Sequence, residues 1–162
     1  MAAPGPILKL VLRAPVGLYD VGAGRLFGHR FLLLTHRGRR SGRLYRTMLE
    51  VVQWDGGQRE ALVMSGFGPR SSWLLNVLAG GAEEIRIGGS RFRPEVRRLE
   101  PGEAAVAMEA YERRNRLLAP LVRAILSRLA GFRYDGSPAA RRRLVEALPL
   151  IGLREPDGDR SR

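Results

Sequence analysis

Five arginines, Arg37, Arg39, Arg40, Arg43 and Arg46, crowd the stretch "THRGRRSGRLYRT", with Gly38, Ser41 and Gly42 set among them. Like charges at this spacing repel one another unless something negative offsets them. Turn N–H groups at Gly38 and Gly42, the Ser41 hydroxyl and planar guanidinium forks make a donor set suited to a phosphate. The stretch is not a P-loop, because the lysine and the following helix are missing. A solvated hairpin face is the plain alternative. A second stretch, "SGFGPRSSW", joins a glycine loop to a helix start capped by Ser71 or Ser72. Gly66 and Gly68 would let a flat ring approach the backbone, and free N–H groups at the helix start would meet ring carbonyls. Trp73 and Asn76, three apart, share a helix face. Trp73 reads as a core anchor, whereas Asn76 needs a partner from backbone or ligand. No carboxylate pair, Ser-His-Asp set or metal-ligand spacing can be assembled, so an enzyme here would take its chemistry from a bound cofactor.

These stretches need elements to hold them. "HRFLLLTHRG" (29–38) reads as a buried strand, 44–58 as a second ending at the hairpin signal "DGG", and 59–68 as a third. A helix follows, with Trp73, Leu74, Val77 and Leu78 on its apolar face. Residues 83–101 read as two strands about "GGS", with Ile85, Ile87, Phe92 and Val96 inward. The stretch 101–131 is helical with a break at Pro120, giving Gly102–Leu118 and Leu121–Leu129. "SPAARRRLVEALPL" starts another helix and "LIGLREP" closes as a strand. Five or six strands joined by hairpins, with flanking helices, make an α+β protein whose mainly antiparallel sheet is closed or half closed into a barrel. The layout is an N-terminal helical segment (1–24, with a helix over 7–20 interrupted near Pro15), a barrel domain (25–156) and a disordered tail (157–162).

The chain has 162 residues, 44% of them hydrophobic, which suits one domain with one core. It has no cysteine, which removes disulfides and thiolate chemistry and fits a cytoplasmic place. Net charge is +12, with Lys9 the only lysine, so an anionic partner is expected. The basic, apolar N-terminal segment suits packing on the fold or contact with a membrane surface. Nucleic acid ranks last among partners, since no aromatic stacking platform accompanies the arginines.

Four blocks, "FLLLTHRGRRSGRLYRTMLEVV", "VMSGFG", "SSWLLNVLA" and "IRIGGSRFRPEVRRL", together resemble the deazaflavin (F420)-dependent nitroreductase family of actinobacteria, over roughly residues 28–118. The resemblance implies a split β-barrel related to FMN-binding split barrels, with F420 in a groove between barrel and Trp-bearing helix. By position, Arg37, Gly38, Arg39, Arg40, Ser41, Gly42 and Arg46 would hold the phosphate and the start of the glutamate tail. Met48, Ser65, Gly66 and Phe67 would border the ring, with Ser72, Trp73 and Asn76 completing the groove. Hydride would pass to a quinone, nitroaromatic or other activated double bond, and Tyr111 or solvent would supply the proton. Three departures stand out. Tyr45 and Met48 replace an arginine and a proline, the loop lysine is missing from "SGF", and the family's tyrosine-rich segment is reduced to Tyr111. FMN is the alternative cofactor, and a non-catalytic cofactor or lipid binder of the same fold is the alternative function. Monomer and homodimer both stay open.

Overall fold

The computed structural model describes residues 28–159. Along the chain run β1 (Phe31–Arg37), β2 (Leu44–Asp55), β3 (Glu60–Met64), α1 (Ser72–Asn76) with a wide π turn Val77–Gly81, β4 (Ala82–Ile87), β5 (Ser90–Phe92) and β6 (Glu95–Arg98). They continue with α2 (Pro101–Arg114), α3 (Ala119–Ala130), α4 (Pro138–Ala147) and β7 (Leu150–Arg154). The strands form one seven-stranded sheet in the order β5-β4-β1-β2-β3-β7-β6, and every pair is antiparallel.

That order forces curvature. β5 and β6 are the two edges, yet only Arg93 and Pro94 separate them in sequence. Flat, seven strands would set the edges roughly 29 Å apart, six spacings of about 4.8 Å. The chain from Phe92 to Glu95 spans at most about 11 Å. The sheet therefore curls until its edges approach, and the fold is an α+β split barrel. Pro94, which has no N–H to give to a ladder, ends β5, and β6 begins in the other half of the sheet. Residues 83–101 thus hold three strands, where the sequence pattern gives two.

β2 serves both halves. It pairs with β1 from Leu44 to Glu50 and with β3 from Val51 to Asp55, and its register slips between Val51 and Gln53. The extra residue is Val52. It turns outward, and Val51 and Trp54 both still face the interior. Inside, Leu32 and Leu34 of β1 meet Leu49, Val63, Ile85, Ile87 and Phe92, and Trp73, Leu74 and Val77 of α1 close one end. The period-two pattern of each strand makes this core. Outside, Leu62 and Leu150 carry α2 and α4 through Ala107, Met108 and Leu144.

The helical break falls before Pro120. α2 stops at Arg114, Asn115 leaves helical geometry at φ −102°, and a 3-10 turn Arg116–Leu118 leads into α3. Pro120 sits in the first turn of α3, where its missing N–H costs nothing. Asp157–Asp159 form a further 3-10 turn at the start of the expected tail. The expected N-terminal helix over 7–20 lies outside the described residues.

Candidate functional site

β1 leaves the barrel at Arg37 and returns as β2 through the turn Gly38–Gly42. The turn closes on itself: Gly38 N donates to Arg43 O (2.8 Å) and Gly42 N to Gly38 O (2.8 Å). Gly42 has φ +66°, and a Cβ on Gly38 would lie 2.6 Å from Ser41 Oγ and 2.7 Å from a Tyr45 ring carbon. Both glycines are therefore structural. The N–H groups expected to face an anion are consumed inside the turn, a correction that follows from its tight closure. Arg37 is committed as well, donating to Glu83 Oε1 (2.9 Å) and Gly42 O (2.9 Å).

What remains is an exposed cationic rim. Arg40 has no ion pair or hydrogen-bond partner among the described residues, and the acid beside the turn, Glu83, is held by Arg37. Ser41 Oγ bonds Tyr45 OH (3.1 Å) and accepts from Arg43 N (3.3 Å).

The turn is fixed to the barrel end by Asn76. Its Oδ1 accepts from Arg39 N and Arg39 Nη1, both at 3.1 Å. Its Nδ2 therefore faces His36 Nδ1 (3.2 Å), which must be the unprotonated ring nitrogen. His36 Nε2 then carries the proton and donates to Thr47 Oγ1 (3.2 Å). Tyr45 stacks on His36 at 5.8 Å between ring centroids. Asn76 is 5% exposed and its polar atoms are filled from within the protein, so it positions Arg39 and lines no groove. Trp73, on the same helix face, is packed in the core.

His36 is the residue that the sequence reading leaves out. A signal was present: Leu32, Leu34 and His36 alternate onto one face, opposite Leu49, Thr47 and Tyr45. Burial lowers the His36 pKa below its ordinary 6.5. The neutral ring is thus the folded form, and the unfolded chain binds the proton more readily. Stability is full above about pH 6.5 and declines as pH falls from there toward the depressed folded value. We expect the thermal midpoint to fall between pH 7 and pH 5.5, and His36→Gln to flatten that slope. An unchanged slope in the variant would remove His36 as its source.

The loop after β3 lies at the other end of α1, about 6 Å along the helix axis from Asn76 at 1.5 Å per residue. Ser65 is fully buried. Its Oγ donates to Gly68 O (2.6 Å) and so accepts from Ser71 Oγ (2.6 Å), which keeps Ser71 from capping the helix. Ser65 is therefore a brace for the loop and presents nothing to a ligand. Gly66, Phe67 and Ser72 are reachable, with Phe67 54% exposed.

Met48 and Arg46 stand apart from this group. The β1–β2 register places them opposite Leu33 and Thr35, on the outer face, while Tyr45 and Thr47 face inward. The same outer row includes Glu50, whose carboxylate accepts from Tyr111 OH (2.9 Å). Burial, and then the Glu50 charge, push the Tyr111 phenol well above the usual tyrosine range. Two clefts, of 250 and 310 Å³, lie elsewhere, one beside α2 and α3 and one beside β6 and β7. The cationic turn is a surface site.

The F420H(2)-dependent quinone reductase family matches residues 14–119 of the chain, a span that includes the turn, α1 and the loop before it. No curated protein sequence matches. Among solved structures, the protein Atu2129 from Agrobacterium tumefaciens str. C58 is similar at 15% identity and TM-score 0.50, over 87% of this chain and 55% of that one, a likeness of fold. An F420-H2 dependent reductase (FDR-A) aligns at 18% identity and TM-score 0.44, over 78% and 96% of the two chains. A pyridoxamine 5'-phosphate oxidase-related, FMN binding protein from Nostoc punctiforme PCC 73102 aligns at 12% identity and TM-score 0.42, over 95% and 82%.

Proposed function

Because the chain belongs to the F420H(2)-dependent quinone reductase family, we propose that its Arg39–Gly42 turn holds the phosphate and first glutamates of F420 while Gly66, Phe67 and Ser72 border the deazaflavin ring. The protein is an oxidoreductase with F420 as its cofactor. The acceptor in this reading is a small organic molecule such as a quinone, a nitroaromatic or an activated alkene.

The observation that carries the assignment is a cationic rim, with Arg40 unpaired among the described residues, on a turn that Asn76 holds rigid. The donors present fit the group. F420 carries a phosphodiester followed by carboxylates, an extended anion, and guanidinium forks beside a hydroxyl match such oxygens. FMN would offer one phosphate to the same rim. When bound, the deazaflavin supplies the hydride. The chain's own part is to position and to exclude water. Asn76 and His36 fix the turn, the Ser65–Ser71 pair fixes the loop, and α1 sets the spacing between them. Arg46 and Met48, on the opposite face of the hairpin, are left out of this contact set.

Tyr111 holds Glu50 in this reading, and the product proton comes from solvent. A phenol bonded to a carboxylate, with its pKa raised, is a poorer acid than ordinary tyrosine. Tyr111→Phe is expected to leave kcat within about twofold while lowering stability by about 1 kcal/mol. A large drop in kcat at unchanged KM would return Tyr111 to the chemistry.

The assignment is tested by fluorescence titration with F420 and with FMN, and by following oxidation of reduced F420 with menadione as acceptor. F420 is expected to bind at least about tenfold more tightly than FMN, since it offers the rim several further charge-assisted contacts. Equal or tighter FMN binding, or protein that purifies yellow with FMN from a host lacking F420, would count against it.

A further inference from the structure

Residues 113–133 contain six arginines and no acid. Within them, the turn Arg116–Leu118 and helix α3 leave Leu117 90%, Leu118 47%, Leu121 57% and Ile125 42% exposed. Leu121 and Ile125, four residues apart, share one side of α3, and Leu117 stands exposed in the turn before it. Leu126, with Val122 and Leu129, turns to the core instead. A single exposed leucine needs no explanation, whereas a continuous strip does. The loop after β3 lies close to the core-facing side of the same helix, where Leu129 lies against Gly66, and Phe67 beside Gly66 is exposed. Arg128 falls on the same side as Leu121, seven residues on, and Arg113, Arg116 and Arg123 line the cleft along the other flank of α3, where Glu109 and Glu112 of α2 stand opposite and Glu112 is held by Arg141.

Charge decides what covers the strip. A second copy would set two arginine-only segments against each other, with like charges facing across the contact. The chain's own N-terminal residues carry Lys9, Arg13 and Arg25 against Asp20, so they too are net basic and offer the arginines no complementary charge. An apolar side rimmed by arginine is the pattern of a helix that lies in the headgroup region of an anionic bilayer. We propose that α3 and the turn before it dock this protein on an anionic lipid surface, with Leu117, Leu121 and Ile125 entering the bilayer and the arginines meeting headgroups. Leu121 and Ile125 lie beyond the residues the family matches. The surface is independent of the cofactor assignment.

The test uses the full chain and vesicles of phosphatidylcholine, alone or with about one third phosphatidylglycerol, without F420. Co-sedimentation is expected with the anionic vesicles, weaning off as salt rises, and little with phosphatidylcholine alone. Leu121→Glu/Ile125→Glu should lower partitioning at least about tenfold while leaving the thermal midpoint near wild type, since both side chains are exposed. The chain has no cysteine, so Leu117→Cys carrying an environment-sensitive dye gives a second readout. Its emission should shift to the blue on anionic vesicles, and the same dye at Gly56→Cys on the β2–β3 hairpin should not respond. Equal binding to both vesicle types, an unchanged double variant, or a silent label at 117 would each overturn the proposal. So would self-association that the double variant abolishes in the absence of vesicle binding, which would assign the strip to a second copy.

Discussion

Replacing Arg39 and Arg40 together with serine is expected to weaken F420 binding on the order of a hundredfold or more, and to leave a tail-less deazaflavin almost untouched. Each charge-assisted contact contributes about 1.5–3 kcal/mol, and two at the lower bound already exceed the 2.8 kcal/mol or so that a hundredfold requires. The lower bound is the right choice because the rim is open to solvent. Arg39 shares one guanidinium N–H with Asn76 and has others to give. Serine keeps the backbone N–H that Asn76 also holds, so the turn itself should survive. High salt should reproduce part of the loss, as exposed charges are screened. Turnover at saturating cofactor should be close to wild type, since these arginines sit at the far end of α1 from the loop. Affinities for tailed and tail-less ligands decide the matter. If both fall equally, or neither falls, the arginines are a solvated hairpin face.

Asn76→Ala should do damage of another kind. It deletes the acceptor for two Arg39 donors and the donor to His36, at a site that is 5% exposed. A buried polar group left without its partner costs about 1–3 kcal/mol. With several groups orphaned at once, a loss of about 3 kcal/mol follows, or roughly 6–12 °C in Tm for a chain of this size. The loosened turn should also lower F420 affinity by about tenfold, with kcat at saturation little changed. Asn76→Asp keeps the oxygen that Arg39 needs and offers His36 an acceptor, which the ring can meet by taking a proton on Nδ1. That variant should recover affinity and raise the His36 pKa. Stability lost with affinity intact would make Asn76 a core residue and nothing more.

The strand pattern was legible because alternation is local. Ile85, Ile87 and Phe92 fall inside as the period requires. The arginine turn was equally plain as a turn. Its hydrogen bonds were not, because whether Gly38 N faces outward or closes on Arg43 O depends on backbone angles that residue type alone does not set. The Asn76–His36 contact joins residues 40 positions apart and exists only once α1 has packed on the barrel end. The separation of Met48 from Tyr45 is a matter of strand parity, readable in principle from their odd spacing. Resemblance by position set Arg46 and Met48 in one site with the turn and hid that parity. The sequence pattern gives Pro94 no role and sets the helical break at Pro120 itself. The first divides a strand pair between two halves of a sheet, and the second opens a helix that had already been interrupted at Asn115.

The pairing of β3 with β7 bears on how the chain is made. Met64 finds Leu150, 86 positions later. At roughly 5–20 residues per second, translation leaves about 4–17 s during which β3 has emerged without its partner. Its N–H and C=O groups then form an open edge beside Ala61 and Val63, a template for pairing with another nascent chain. Helices α2 to α4 are synthesised in that interval. Ala104, Met108 and Leu144 cover the outer surface of the same strand, so the helical layer can shield the half-built sheet before its last strand arrives. The order of elements along the chain thus works as a built-in holding arrangement for a sheet that must wait to be closed.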